Sequence, residues 1–323
     1  VSKETQQGRR KRQETPHNPE QAAADIVKAL SEITSTGHQP DGIFEDWLIL
    51  SEATLDMLPA HFKSTLSKGE FAQDPPEIAE TWAKMRKKYG EKEWVFERFS
   101  GAFGVMLNAA YEPDQTPRYK DIVGEAFMEF GRPSHWQGQF FTPPTVARLM
   151  AEMTSDKGEL VHAHLKAAIE QSPFAQACLI AGFALDGAEA QDWFITRVVP
   201  AAMEHYEPVR FMEPAVGSGI MLLAHAATMP RWMVTMGLVQ YHGVDIDLTC
   251  VRMANINCKL YGLNGHHLKY FADLTAEDLA NLPKAHATAY TEAKVAHEAG
   301  NDERVEEIAK EIRGQQMNLF TEI

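Results

Sequence analysis

The architecture of this chain turns on VRFMEPAVGSGIMLLAHA, residues 209–226. A short apolar run of strand character ends in Glu213-Pro214, turns through Gly217-Ser218-Gly219, and enters an apolar run of helical character. Glycines let the backbone approach a ligand closely, and a helix N-terminus offers free N–H groups with a favourable dipole. A Gly-x-Gly pair alone says little. Between a strand and a helix it predicts a nucleotide-type site, against the plainer alternative of a tight turn that binds nothing.

Downstream, YHGVDID (241–247) reads as the next strand, closing on two acids about thirty residues after the glycines. An acid at that strand end is placed to accept hydrogen bonds from ribose hydroxyls. Asp245 holds that position, while Asp247 serves either the same role or as the cap of the next helix. That helix, LTCVRMANINCKLYGL, carries Leu248, Val251, Ala254, Cys258 and Tyr261 at helical spacing, so Cys258 reads as core. A third strand, LKYF (268–271), runs into FADL and brings Asp273 to the same carboxyl edge. Three strands alternating with helices predict βαβαβ, an α/β fold with a parallel sheet.

Upstream the pattern is helical from residue 19 to 130. Asn18-Pro19 opens one helix and Pro75-Pro76 another, the second carrying Ile78, Trp82 and Met85 on a stripe and stopping at Gly90. HWQGQFFTPPTVARLMAEMT then reads as a loop entering a helix, with Thr142 as cap and Pro143 at the first position. Helical sequence fills 157–205 and returns beyond Asp273. The resulting plan is a basic arm (1–18), a helical N-terminal domain (19–130), an α/β domain (131–282) with a helical insertion (157–205), and a C-terminal helix and tail (283–323).

Composition bounds the class. The chain has 323 residues, 44% hydrophobic and 24% charged, with 31 Lys+Arg against 45 Asp+Glu, a formal charge of −14. No run of about 18 apolar residues predicts a membrane span. The polar, basic opening predicts no secretory signal, and three cysteines without a CxxC exclude structural zinc and a disulfide framework. A cytoplasmic protein without a metal site is expected. The acidic balance does not exclude nucleic acid, because Lys3, Arg9, Arg10, Lys11 and Arg12 cluster in the arm. That arm either touches a phosphate backbone or is a solvated terminus.

Four stretches together resemble the gamma-type adenine-N6-specific DNA methyltransferases, most closely the modification subunit of type I restriction-modification systems. DIVGEAFMEFG with GQFFTPPTVARLM is similar to that family's helix and methionine-side loop. MEPAVGSG is similar to its glycine-rich motif, with Glu213 where the family usually has Asp. HGVDIDLTCVRMANINCKLYGL and FADL resemble its ribose and adenine motifs, in the family's order. The resemblance implies a Rossmann-like class I methyltransferase domain that binds S-adenosyl-L-methionine. Gly217 and Gly219 would lie near the methionine end, Asp245 on the ribose and Asp273 at the adenine, with Glu213 and Pro214 also among the cofactor-binding residues. Phe141, Thr142 and Pro143 would close over the methionine part. It also implies DNA as partner, with methyl transfer to the N6 of a flipped adenine.

The sequence departs from the family after Asp273. An Asn/Asp-Pro-Pro-aromatic loop should follow and hold the flipped base; none does. Asn281-Leu282-Pro283-Lys284 is the nearest stretch and reads as a helix end, leaving Asn281 a weak catalytic candidate. Asp74-Pro75-Pro76-Glu77 reads as helix initiation. A truncated sheet would leave the VRFM strand as a bare apolar edge. Either the C-terminal helices cover it, a second subunit completes the catalytic half, or the chain forms a homodimer. The chain is then an adenine-N6 DNA methyltransferase or the cofactor-binding part of a split one; the alternative is a catalytically inactive methyltransferase-like DNA-modification accessory protein. Finally, Gln316-Met317-Asn318-Leu319-Phe320 resembles the pentapeptide by which bacterial proteins dock on the replication sliding clamp, through Gln316, Leu319 and Phe320. The same residues could instead pack on their own domain.

Overall fold

The computed structural model describes residues 18–130 and 142–321, excepting the side chains of Pro19 and of 313–321. The basic arm and Phe141 lie outside the described residues. Helices dominate. After a single 3-10 turn capped by Asn18 come α1 (Ala22–Ile33), α2 (Pro40–Lys68), α3 (Pro76–Lys88), α4 (Glu93–Ala110) and α5 (Ile122–Phe130). α1 forms because its apolar residues recur at helical spacing, and it buries Ala22, Ala23, Ile26, Leu30 and Ile33 as one stripe. Pro75 caps α3 and Pro76 opens it, so Asp74-Pro75-Pro76 initiates a helix.

α6 (Pro144–Thr154), α7 (Glu159–Gln171), α8 (Pro173–Gly182), α9 (Gly187–Trp193) and α10 (Val199–Ala202) follow. The start of α6 corrects the sequence reading by one position. Pro143 is the cap residue and Pro144 the first helical residue, and no side chain caps the end. Pro144 lacks the N–H that a Thr142 cap would have served.

The sheet is β1 (Val209–Glu213), β2 (Val239–Asp245) and β3 (His266–Tyr270), all parallel, in the order β1-β2-β3. α11 (Ile220–Thr228) and α12 (Arg231–Thr235) connect the first pair, and α13 (Leu248–Tyr261) the second. Then come α14 (Ala276–Ala280), α15 (Lys284–Glu298) and α16 (Asp302–Thr321). Among the described residues no strand pairs with the outer side of β1, although α7 lies against that strand.

Alternation along the strands divides the residues between two faces. Val239 and Tyr241 enter one large core with α11 and α13, and this core is continuous with α1, α2, α4 and α5. Val244, with Met212 beside it, enters a second core built with Phe271, Leu274, Tyr290 and Ile308. The C-terminal helices thus cover the carboxyl half of that second face. The N-terminal helices join the α/β part through α13. Arg252 pairs with Glu45 at 3.0 Å and Lys259 with Asp56 at 2.7 Å, while the Tyr111 hydroxyl donates to the Leu260 carbonyl at 2.6 Å.

No helix among the described residues is long and apolar enough to cross a membrane. No group of three His, Cys, Asp or Glu among them could hold a metal ion. Cys250 and Cys258 are buried thiols outside any disulfide. Gln316, Leu319 and Phe320 fall within α16, so their backbone is helical rather than an extended tail.

Candidate functional site

The site is built on the carboxyl edge of β1 and β2. β1 ends at Glu213, whose Oε1 accepts from the Ala215 N–H at 3.2 Å. The chain then turns with Gly217 at φ +52° and Gly219 at φ +89°. A side chain is strained in that region, so these two glycines are what permit the turn. Gly219 is also the cap residue of α11, and a Cβ on it would stand 3.2 Å from Ala254 of α13. α13 therefore lies as close to the turn as a missing side chain allows.

Asp245 closes β2 and is 9% exposed. Its Oδ2 accepts from the Gly217 N–H at 2.8 Å and its Oδ1 from the Asp247 N–H at 2.9 Å. One carboxylate thereby ties the glycine turn to the end of the second strand. Asp247 caps α13, accepting from the Thr249 N–H at 2.8 Å, the capping role that the sequence also offered for it. The Val216 N–H adds a bond to the Val244 carbonyl at 2.9 Å.

Two carboxylates share this edge, and their charges matter. Burial raises Glu213 to about 7, the donated Ala215 N–H works against that rise, and the neighbouring Asp245 adds to it. A cation arriving here would favour the ionised form.

The remaining sequence-derived candidates are placed as follows. The Pro214 carbonyl accepts from the Tyr290 hydroxyl of α15 at 2.6 Å. Asp273 ends a 3-10 turn just past β3 and is exposed. Thr142 is half-buried and Pro143 exposed, at the entrance to α6, which packs on α11 through Ala147, Ala151, Ile220 and Ala224. Asn281 ends α14, with its amide donating to the Glu277 carbonyl at 2.9 Å of its own helix. The structure thus brings together Glu213, Pro214, Gly217, Gly219 and Asp245.

Sequence reading missed two supports of the turn. Tyr290 lies in a stretch that read only as a polar helix. The other is a buried carboxylate, Asp121, just before α5, whose Oδ2 accepts from the Ser218 hydroxyl and whose Oδ1 accepts from the Asn257 amide at 2.7 Å. An acid directly before an apolar helix is a capping signal, and a polar Asn amid the apolar face of α13 is a second one.

Residues 193–296 match the N-6 DNA Methylase family model. The matched segment holds all three strands, the glycine turn, Asp245 and Asp273, and supports adenine-N6 DNA methylation as the class of chemistry. No curated protein and no solved structure gives a match to the chain.

Proposed function

We propose that the chain binds S-adenosyl-L-methionine at the carboxyl edge of β1 and β2 and serves methyl transfer to adenine N6 in DNA. The observation that carries this reading is the tie between Gly217 and Asp245, inside the segment that matches N-6 DNA methylases. The donor set suits the ligand. Asp245 offers carboxylate oxygens to ribose hydroxyls, and Glu213 offers a carboxylate to a cationic amino-acid end. The start of α11 and the glycines let a polar ligand reach backbone N–H groups. Asp273 would meet the adenine, and Thr142 and Pro143 would lie on the methionine side.

When bound, the cofactor would supply an electrophilic sulfonium methyl group for transfer to adenine N6. The chain's own contribution is binding and orientation. Residues 274–312 fold as helices, and the base-holding loop has no counterpart among them. We assign that loop to a second chain or to further sequence, either of which would pair with the edge of β1 that no strand among the described residues occupies. Restriction-modification is the biological setting this arrangement suits, and the helical end of α16 is offered as a clamp contact only if it unwinds.

Calorimetric titration with S-adenosylmethionine and S-adenosylhomocysteine tests the reading. Micromolar binding supports it; no binding at millimolar ligand removes it. Methyl transfer to DNA by the same preparation would show that the chain works alone and would overturn the assignment of the base-holding loop to a second chain or further sequence.

A further inference from the structure

Asp121 comes from the N-terminal helices, yet it ends inside the glycine turn. It is 5% exposed, and its two partners across the fold, Ser218 and Asn257, are fully buried. Three donors converge on the carboxylate: the Gly124 N–H at 2.8 Å, the Asn257 amide at 2.7 Å and the Ser218 hydroxyl. The same Asn257 amide donates to the Ser218 carbonyl at 2.8 Å. Both of its neighbours are acceptors, which fixes the amide's orientation. Ser218 is therefore held at its side chain and at its backbone, between Gly217 and Gly219.

The close approach is built in. A Cβ on Gly124 would collide with the Asp121 carboxylate and stand 2.7 Å from Ser218 Oγ. α5 can lie this near the turn only with glycine there. On the opposite side, Gly219 allows the equivalent approach of α13. Burial raises Asp121 to about 6, with the three donors acting against the rise. The three donors favour the ionised form, which accepts all three bonds. Glu125 on its own helix repels it, and Tyr261 of α13 lies within its field.

A buried carboxylate is costly unless it is satisfied, and here the satisfaction comes from the turn itself. We propose that Asp121 is a positioning residue for the cofactor turn, holding Ser218, and through it the Gly217–Gly219 backbone, in the conformation that receives the ligand. The proposal rests on the cofactor reading above for its ligand, but not for its geometry. It makes the N-terminal helices part of the binding apparatus.

Three variants of the full chain test it: D121N, S218A and the double variant. Amide hydrogen exchange is followed in the ligand-free protein, comparing the peptide around residues 214–220 with the reference helices α7 and α8. S-adenosylhomocysteine affinity is measured alongside. Each single variant is expected to speed exchange in the turn at least tenfold, leave α7 and α8 unchanged, and weaken binding about tenfold. The double variant is expected to be no worse than either single one, because both cut the same connection. Unchanged exchange in the turn, a uniform rise across the chain, or additive losses in the double variant would each overturn the proposal. Should D121N fail to fold, S218A keeps the carboxylate with its two other donors and decides alone by the same exchange comparison. If the wild type binds no S-adenosylhomocysteine at millimolar ligand, the cofactor reading fails, and the exchange comparison still decides the role of Asp121.

Discussion

The Gly217 N–H donates to the Asp245 carboxylate at 2.8 Å across 28 residues of sequence, so the acid at the end of the second strand shapes the turn at the end of the first. Asp245→Ala should therefore do more than remove a ribose contact. It leaves the half-buried Gly217 and Asp247 N–H groups without that acceptor, at about 0.5–1.5 kcal/mol for each bond. Asp245→Asn keeps one carbonyl acceptor and should lose less. Titration with S-adenosylhomocysteine and thermal unfolding check the order; equal effects of the two variants would show that the bond to Gly217 carries no weight.

Gly219→Ala should destabilise the chain by about 1–2 kcal/mol from backbone strain alone. Contact with Ala254 at 3.2 Å adds to that cost. Urea unfolding of this variant against Gly300→Ala, also at positive φ but with open space around it, isolates the contact. Equal losses would remove the packing part of the explanation.

Glu213 should give binding a pH dependence. Its folded value of about 7 lies above the ordinary 4.5, so the folded chain holds an extra proton between those limits. Stability from this group consequently falls as pH rises from 4.5 to 7. A cationic ligand favours the ionised form, so affinity should rise with pH and level off above about 7. Glu213→Gln should flatten both profiles. Calorimetry from pH 5.5 to 8.5 provides the measurement, and an unchanged slope in the variant would place the titration elsewhere.

Tyr290→Phe removes the hydroxyl that donates to the Pro214 carbonyl. The expected loss is about 1 kcal/mol of stability, the usual value of one such bond. Cofactor affinity should fall with it, because α15 then no longer braces the turn. Full retention of affinity with reduced stability would confine Tyr290 to the second core.

Much of the site was legible because its signals are local. Asp245 ends a strand whose alternating apolar residues set its face, and Gly217 and Gly219 announce a turn between two apolar runs. The strand runs were found within two residues of their ends, at 209–213, 239–245 and 266–270. The entrance to α6 was misplaced by one residue, since two prolines in a row offer the helix two starts. Tyr290 and Asp121 stayed hidden for a different reason. Their roles come from partners 76 and 97 residues away, and no local pattern records such a distance.

The order of strands and helices, the glycine turn and the acid at the strand end follow from local pattern, because helix and strand periodicity and glycine's backbone freedom act over a few residues. Long-range packing set the rest: the N-terminal helices share a core with the sheet, α15 and α16 cover the carboxyl half of one of its faces, and Asp121 reaches Ser218. Those outcomes depend on which apolar faces meet and which buried donors find acceptors, and that is settled only when distant segments pack together.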